Sequence, residues 1–332
     1  MSVISRFIER SKFSGEHGLG IVLDGMCYAI GHVLTGLKMN NYFFRKEMQK
    51  SRWGWVKYTS DRMSETMRQI NPPEVAELFS DKARFDARFE KYLGREWICP
   101  RDCTPEELHA FLHKHTDAIA KPRAGKGGFS VEQLSPPASL YECKMLRERL
   151  IEEDKIVEEH IRQHPEVSEF YPNAVNTIRL TTFYTEKGPV LLAPLMRIGR
   201  GDSVADNFDS GGVLTMLDVD TGRMLSGAMN KQYVWFDAHP ETGKKFEGFV
   251  VPHWDKVRAL CLAAAEEEPR AAYIGWDVAI TPGGCVLVEG NSRPSINWQC
   301  VDRRGWRKEF ARAYKSALRR QKAQSTSGAA RP

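Results

Sequence analysis

An α+β fold is predicted for this chain of 332 residues. Residues 1–79 are rich in helical patterns and aromatic side chains and show no alternation of strands and helices, which predicts a helical N-terminal region. Apolar strand-like runs follow at 118–122, 156–161 and 176–198, with charged helical patterns between them. Two more apolar runs flank a Pro-Gly-Gly turn within 276–291 and predict an antiparallel hairpin. We therefore expect a small α+β unit followed by a larger sheet.

Several helices are marked by their own signals. A charged amphipathic pattern begins at Ser80 and runs to about Leu93. Thr104 precedes Pro-Glu-Glu, which is typical of an N-cap and a first helical turn. A charged helix is predicted over 139–153 and a basic helix over about 303–322. The segment 324–332 is rich in Ser, Gly and Ala and is expected to be disordered.

The composition excludes several classes of protein. An apolar share of 42% supports a packed core. The formal net charge of +5 suits an anionic ligand such as a nucleotide but is too small to indicate a nucleic-acid partner. The seven cysteines are scattered and form no zinc-binding set, which is typical of reduced thiols in a cytoplasmic protein.

One stretch, 21–37, is apolar enough to raise the question of a membrane. It is short, and Asp24, His32 and three glycines interrupt it. A transmembrane helix needs about 20 predominantly apolar residues, so we expect a chain that does not span the membrane. A peripheral helix is the interpretation that stays open for this stretch.

The predicted hairpin brings acidic residues together. Folding the chain about its Pro-Gly-Gly turn puts Asp277 within about one residue of Glu289 across the ladder, and Asn291 shares a face with Glu289. Like charges repel at that spacing, whereas Mg²⁺ binds carboxylate and amide oxygens well. The pattern therefore predicts a metal site. The alternative is an ordinary hairpin with one solvated acid at each end.

A glycine loop follows the strand that ends near Lys121. It contains Gly125, Gly127 and Gly128, and glycines let the backbone approach a ligand and present N–H groups to an anion. Lys121 and Lys126 add positive charge. The spacing matches neither a Walker loop nor a dinucleotide-binding fingerprint, and an ordinary turn is the alternative.

Two arginines lie in the apolar runs of the larger sheet. Arg179 is inside a strand-like run and needs either an anionic partner or an exposed edge position. Arg197 precedes a block that contains Asn207, Gly211 and Gly212 and is rich in possible donors. A long mobile loop is the alternative for this block, although such loops often carry function.

Taken in order, these features resemble the ATP-grasp fold over roughly 80–299. The resemblance is carried by Asp81-Lys82, Lys121 with its glycine loop, the strand 156–161, Arg179, the stretch from Arg197 through Asn207 to Gly211-Gly212, Asp277, and Glu289-Gly290-Asn291 with Pro294. The chain is most similar to the sugar-transfer-associated ATP-grasp proteins, which are typically encoded near polysaccharide or glycan genes. Its Asn207–Gly212 block is also similar to that of the ribosomal-protein glutamate ligases.

The resemblance implies an ATP-grasp fold in which two α+β subdomains sandwich ATP behind a mainly helical N-terminal region. The implied segments are a helical region (1–79), a small subdomain with a lid (80–170), a large subdomain with the metal site (171–302), and a basic helix with a disordered tail (303–332).

The resemblance also implies a role for each site residue. The phosphates of ATP would contact Lys82 and Lys121 under a lid of Gly125, Gly127 and Gly128, while Glu158 or Glu159 would lie at the adenine and Glu166 at the ribose. The catalytic group would comprise Arg179, Arg197, Asn207, Gly211 and Gly212. One or two Mg²⁺ ions would bind Asp277, Glu289 and Asn291.

The chain departs from the family pattern at two places. The N-terminal region lacks the alternation of a Rossmann-like domain, which usually helps to bind the acceptor in these ligases, and a helical segment stands there instead. Position 275 is glycine, where many members carry arginine two residues before the metal aspartate. Arg179 is the candidate for that arginine's role.

The implied activity is an ATP- and Mg²⁺-dependent carboxylate–amine ligase that acts through an acylphosphate in polysaccharide, glycan or cell-surface precursor biosynthesis. Its substrate would be a small molecule or glycan precursor with a carboxylate or hydroxyl group. A kinase of the same fold acting on a sugar hydroxyl and a non-catalytic nucleotide-binding scaffold are the alternatives. The aromatic N-terminal region and the basic C-terminal helix are candidates for peripheral contact with a membrane or a partner.

Overall fold

The computed structural model of the chain describes residues 2–125, 130–201, 206, 208, 211–295, 301 and 304–329. The first part is helical, as predicted. Its helices are α1 (Val3–Phe13), α2 (Leu19–Thr35), α3 (Met39–Gln49), α4 (Asp61–Met67) and α5 (Pro73–Ser80), with a 3₁₀ turn at Gly54–Lys57. The first three helices enclose a small aromatic core around Phe7, Tyr42 and Phe43.

The second part is a four-stranded antiparallel sheet covered by helices. Its strands are β1 (Trp97–Ile98), β2 (Ile119–Pro122), β3 (Glu132–Gln133) and β4 (Lys155–Glu158), in the order β1-β4-β2-β3. Its helices are α6 (Lys82–Leu93), α7 (Pro105–Lys114) and α8 (Leu140–Glu152). Asp81 caps α6 by accepting from two backbone N–H groups, and Thr104 and Glu107 form a capping box on α7.

The third part is a seven-stranded antiparallel sheet. Its strands are β5 (Thr177–Thr185), β6 (Gly188–Ile198), β7 (Val213–Met216), β8 (Ala228–Asn230), β9 (Trp235–Phe236), β10 (Tyr273–Thr281) and β11 (Gly284–Asn291), in the order β11-β10-β5-β6-β7-β8-β9. The remaining helices are α9 (Pro165–Ser168), α10 (Trp254–Glu267) and α11 (Arg307–Ala329). The predicted 276–291 hairpin is thus the pair β10–β11.

The large sheet is covered on both faces. Alternate residues point to opposite faces, so Trp276 and Val278 pack with α6 and α10 while Tyr273 and Phe183 pack with α11. Helix α11 continues to Ala329, past its predicted end near 322 and into the segment predicted to be disordered, and 330–332 lie outside the described residues.

No single helix in the described part of the chain is long and apolar enough to cross a bilayer. Helices α2 and α3 reach the required length and apolar composition only when they are taken together, and that pair is bent by 115°.

Candidate active site

A row of charged residues crosses three neighbouring strands of the large sheet. Arg179 on β5 pairs with Asp277 on β10, and Asp277 pairs with Glu289 on β11. Directly paired side chains in such a ladder have Cβ atoms about 4.5–5.5 Å apart. The sequence-based prediction placed Asp277 and Glu289 within one residue of this register, and the sheet brings them directly opposite each other.

Asp277 is fully buried and has two arginine partners. Arg179 donates from Nε and Nη2 to the two carboxylate oxygens, the second bond being 2.7 Å long. Arg197 donates from Nη2 to Oδ2 at 2.8 Å and also contacts Thr177 Oγ1. Burial by itself would raise the pKa of Asp277, but the two guanidinium groups outweigh it and lower that pKa to about 2.

The pKa of Glu289 is shifted in the opposite direction to that of Asp277. Glu289 lies directly opposite Asp277 in the ladder, and burial together with the Asp277 charge raises the pKa of Glu289. Two carboxyl groups that meet on one face favour a shared proton or a shared cation. Asn291 follows on the same strand, and its Oδ1 accepts from Arg293 N at 3.0 Å.

These residues fit a magnesium ion. A divalent cation would favour the ionised form of Glu289, and the oxygens of Asp277, Glu289 and Asn291 are the hard ligands that Mg²⁺ takes. Within the described residues, no cluster of three or more His, Cys, Asp or Glu side chains is arranged to hold a metal. A site built from two carboxylates and an amide is consistent with that finding, because Mg²⁺ usually completes its shell with water and phosphate oxygens.

A β-bulge sets the register of the acids. Asp277 pairs with Glu289 but the next residue, Val278, pairs with Leu287, so Val288 is the extra residue on β11. Arg95 donates to the carbonyl oxygens of Leu287 at 2.6 Å and Val288 at 3.2 Å. Bulges of this kind re-aim side chains near active sites. The sequence analysis missed Arg95, and its position in the turn after α6 offered no signal.

Arg95 also joins this hairpin to the small sheet. Its Nη2 lies 2.8 Å from Glu158 Oε1, and Lys121 Nζ lies 2.6 Å from the same oxygen. The buried carboxylate of Glu158 therefore has two cationic partners. Lys82 Nζ donates to the carbonyl oxygen of Gly125 at 3.1 Å, and burial with the nearby Lys121 charge lowers the pKa of Lys82.

Asp86 is a second residue that the sequence analysis missed. It is fully buried, and burial together with the Glu158 charge raises its pKa to about 8. It lies one helical turn after Lys82 on α6, so the i, i+4 spacing on a charged helix was the available signal.

A cavity of about 500 Å³ lies between α5, α6 and β11. Its polar lining includes Lys82, Asp86, Gly125, Glu289 and Asn291. The structure thus brings four of the predicted site residues to one cavity: Lys82 on the helix side, Gly125, and Glu289 and Asn291 on the strand side. A mixed lining of this kind suits an anion that carries a metal ion.

Other predicted residues lie away from this lining. Glu159 exchanges hydrogen bonds with Glu96, and Glu166 is exposed on α9. Gly212 directly precedes β7, whose Leu214 pairs with Arg197. Gly211 comes immediately before Gly212. Gly127, Gly128 and Asn207 lie outside the described residues. The roles given to all of these residues stay predictions.

Steric crowding explains why position 275 is a glycine. A Cβ atom at this position would come within 3.0 Å of Arg179 Cδ and 2.8 Å of Pro294 Cβ. The space that a side chain at 275 would use is therefore occupied by Pro294 and Arg179. The expectation that Arg179 stands in for an arginine at 275 stays a prediction.

Comparisons with known proteins identify the family. Residues 142–315, just over half of the chain, match the sugar-transfer associated ATP-grasp family. No curated protein matches the chain.

Similar solved structures include the ATP-grasp ligase PsnB with a precursor variant, Mg and ADP (14% identity, TM-score 0.40, 68% of this chain and 54% of that chain). Another is the D-alanine–D-alanine ligase from Bacillus anthracis (12% identity, TM-score 0.44, 81% of this chain and 79% of that chain). The chain thus spans about half the length of the PsnB chain. The family assignment rests on the match over 142–315: the chain has the predicted ATP-grasp fold and belongs to the sugar-transfer-associated ATP-grasp family.

Proposed function

We propose that this chain is an ATP- and Mg²⁺-dependent ligase that joins a carboxylate to an amine. One observation carries the proposal: Glu289, held against Asp277, lines the same cavity as Lys82. A pair of acids, one of which lines a cavity together with a lysine, suits a triphosphate, because a bound Mg²⁺ would offset charge between the acids and the phosphate oxygens.

The proposed reaction has two steps. A carboxylate oxygen of the acceptor attacks the γ-phosphorus of ATP, the bond between that phosphorus and the bridging oxygen breaks, and ADP leaves. The amine nitrogen then attacks the acyl carbon of the acylphosphate, the bond from that carbon to the phosphate oxygen breaks, and phosphate leaves while the amine loses a proton.

The chain's own residues position the reactants in this proposal. Lys82 and Lys121 contact the α- and β-phosphates, and Arg179 and Arg197 contact the transferred phosphoryl group. Positively charged donors held in place before the reaction stabilise the charge that develops on the phosphoryl oxygens. Asp277 keeps both arginines in position, since each of them already donates to it. The magnesium ligands are Asp277, Glu289 and Asn291.

The substrate class and the compartment are further parts of the proposal. The family description associates its members with sugar transfer, which supports an acceptor that is a glycan or cell-surface precursor. The six described cysteines, Cys27, Cys99, Cys103, Cys143, Cys261 and Cys285, are free thiols, which supports a cytoplasmic location.

The first test is calorimetry of ATP binding with and without Mg²⁺. We expect binding that depends on Mg²⁺ in the parent protein and falls at least about tenfold in Glu289→Gln. Glu90→Gln is the matched control, because Glu90 is an exposed acid on α6, the helix that carries Lys82. Absence of ATP binding by a folded parent protein would contradict the proposal.

Hydroxylamine trapping then separates ligase from kinase. An acylphosphate reacts with hydroxylamine to give a hydroxamate, so a hydroxamate that requires ATP and a carboxylate acceptor supports the ligase. A phosphorylated sugar hydroxyl formed without any hydroxamate would assign the kinase instead.

A further inference from the structure

The first two helices present an uncharged apolar surface to solvent. On α2 the side chains of Leu19, Val22, Met26, Ile30, Val33 and Leu34 are exposed, with exposed fractions from 41% to 73%. Their spacing of three and four residues puts them on one stripe that follows the helix. Helix α1 packs beside α2 and adds Val3, Ile4, Ile8 and Phe13, the last of them 95% exposed. We call these exposed apolar side chains of the two helices the α1–α2 face.

The charges of α2 are turned away from this face. Its single acid, Asp24, is fully buried and accepts from Lys46 Nζ at 2.7 Å and Arg52 Nε at 3.0 Å. His32 Nδ1 is hydrogen-bonded to the carbonyl oxygen of Leu37 at 3.0 Å. The outer side of the helix therefore offers aliphatic contact over a length of about 25 Å and almost no hydrogen-bonding groups.

The surroundings of the face are basic. Residues 1–60 contain nine lysines and arginines against four acids, and this excess of five equals the formal net charge of the whole chain. Arg6, Arg10 and Lys12 are exposed on α1. A cavity of about 790 Å³ opens beside the stripe, and its lining combines apolar side chains such as Met26 and Trp53 with three basic and two acidic ones, namely Lys46, Lys50, Arg52, Glu16 and Glu47.

We propose that the α1–α2 face docks on a lipid surface that carries anionic headgroups. An apolar stripe with basic flanks and exposed Trp and Phe is the pattern of helices that lie in the membrane interface. A second copy of the chain fits less well, because a two-fold contact would bring two basic rims together. A bilayer-spanning α2–α3 pair fits less well too, because Tyr42, Phe43 and Phe44 of α3 are packed in the protein interior.

The proposal does not depend on ATP chemistry, so its test can fail independently of the ligase proposal. The probe is flotation of the full-length protein with vesicles of phosphatidylcholine alone or mixed with phosphatidylglycerol. We expect binding to the mixed vesicles that weakens as the salt rises from about 0.1 M to about 1 M, because salt screens the basic flank.

Two double variants make the test specific. Met26→Glu with Val33→Glu charges the stripe, and we expect vesicle affinity to fall about tenfold or more because a charged side chain is costly in the apolar layer. Tyr141→Glu with Met145→Glu is the matched control on α8, where both side chains are at least half exposed, and we expect full binding. Thermal unfolding of each variant confirms that it is folded.

Three outcomes would overturn the proposal. The first is a parent protein that floats with neither kind of vesicle, and the second is a stripe variant that floats as well as the parent. The third is sedimentation that shows a dimer of the parent and a monomer of the stripe variant without any vesicle binding, which would assign the face to a second copy of the chain.

Discussion

Asp24 in the N-terminal region and Asp277 in the large sheet are both fully buried, but their surroundings differ. In the N-terminal region Asp24 accepts from Tyr42 Oη, Lys46 Nζ and Arg52 Nε, so one carboxylate meets three donors. In the large sheet Asp277 meets two arginines but also a second carboxyl group, that of Glu289. A buried acid with donors alone is explained by stability. A second acid with a raised pKa that lines a cavity would be stabilised by a shared proton or a bound cation, which is why the second region is the candidate active site.

The largest expected effect would test this contrast directly. Asp277→Asn removes the shared partner of Arg179 and Arg197, and we expect a loss of about 3–5 kcal/mol in unfolding free energy together with loss of Mg²⁺-dependent ATP binding. Asp24→Asn should also destabilise the protein, because Lys46 and Arg52 lose a charged partner. Its folded fraction should bind ATP normally. Denaturant unfolding and calorimetry on both variants measure the two effects, and equal loss of binding in both would break the comparison.

Glu289→Gln should separate stability from metal binding. The pKa of Glu289 is higher in the folded protein than its ordinary value of 4.5. The folded state is therefore favoured at low pH, and it loses stability as the pH rises above 4.5 because the unfolded chain ionises this group more readily. The amide cannot ionise, so in EDTA we expect the variant to unfold at a higher temperature than the parent at neutral pH. Added Mg²⁺ should stabilise the parent more than the variant. A variant less stable than the parent in EDTA would contradict this account.

Gly275→Ala tests the packing beneath the acids. The added Cβ would approach Arg179 Cδ to 3.0 Å and Pro294 Cβ to 2.8 Å, so we expect a loss of about 1–3 kcal/mol from overpacking. Displacement of Arg179 should also weaken ATP binding. Gly283→Ala in the exposed turn of the same hairpin is the control, because a Cβ there meets nothing within 4 Å. Equal effects of the two substitutions would show that the space at 275 does not matter.

Asp86→Asn should have an effect that is confined to one range of pH. The pKa of Asp86 is raised from 3.8 to about 8, so the parent protein loses stability as the pH rises through that interval, by at most about 1.4 kcal/mol per pH unit. The variant should lose less stability over this range. The difference in unfolding free energy between variant and parent should therefore widen from pH 4 to pH 8. Parallel curves would show that Asp86 ionises normally.

Local patterns accounted for much of the fold. The helical N-terminal region, the α7 cap and the 276–291 hairpin depend on neighbouring residues, and each was predicted from turn residues, caps and periodicity. The C-terminal helix was the exception, since α11 continues to Ala329 through residues with low helix propensity.

Long-range contacts in the candidate site could not be predicted in the same way. Arg179 was expected to need an anionic partner, but the sequence did not say that Asp277, 98 residues away, would be that partner. The register between β5 and β10 decides which acid lies opposite Arg179. Arg95 was missed because its contacts are backbone carbonyls of a bulge on a distant strand.

The sequence by itself determined that Asp277, Glu289 and Asn291 share one hairpin, because a short turn sets the register of the strands on either side of it. It also determined the helical pattern of α2 and the position of its apolar stripe. Only the tertiary structure decided which charges surround the acids and which face of α2 stays exposed. Both depend on how separate elements pack, and packing brings together residues whose distance along the chain carries no local signal.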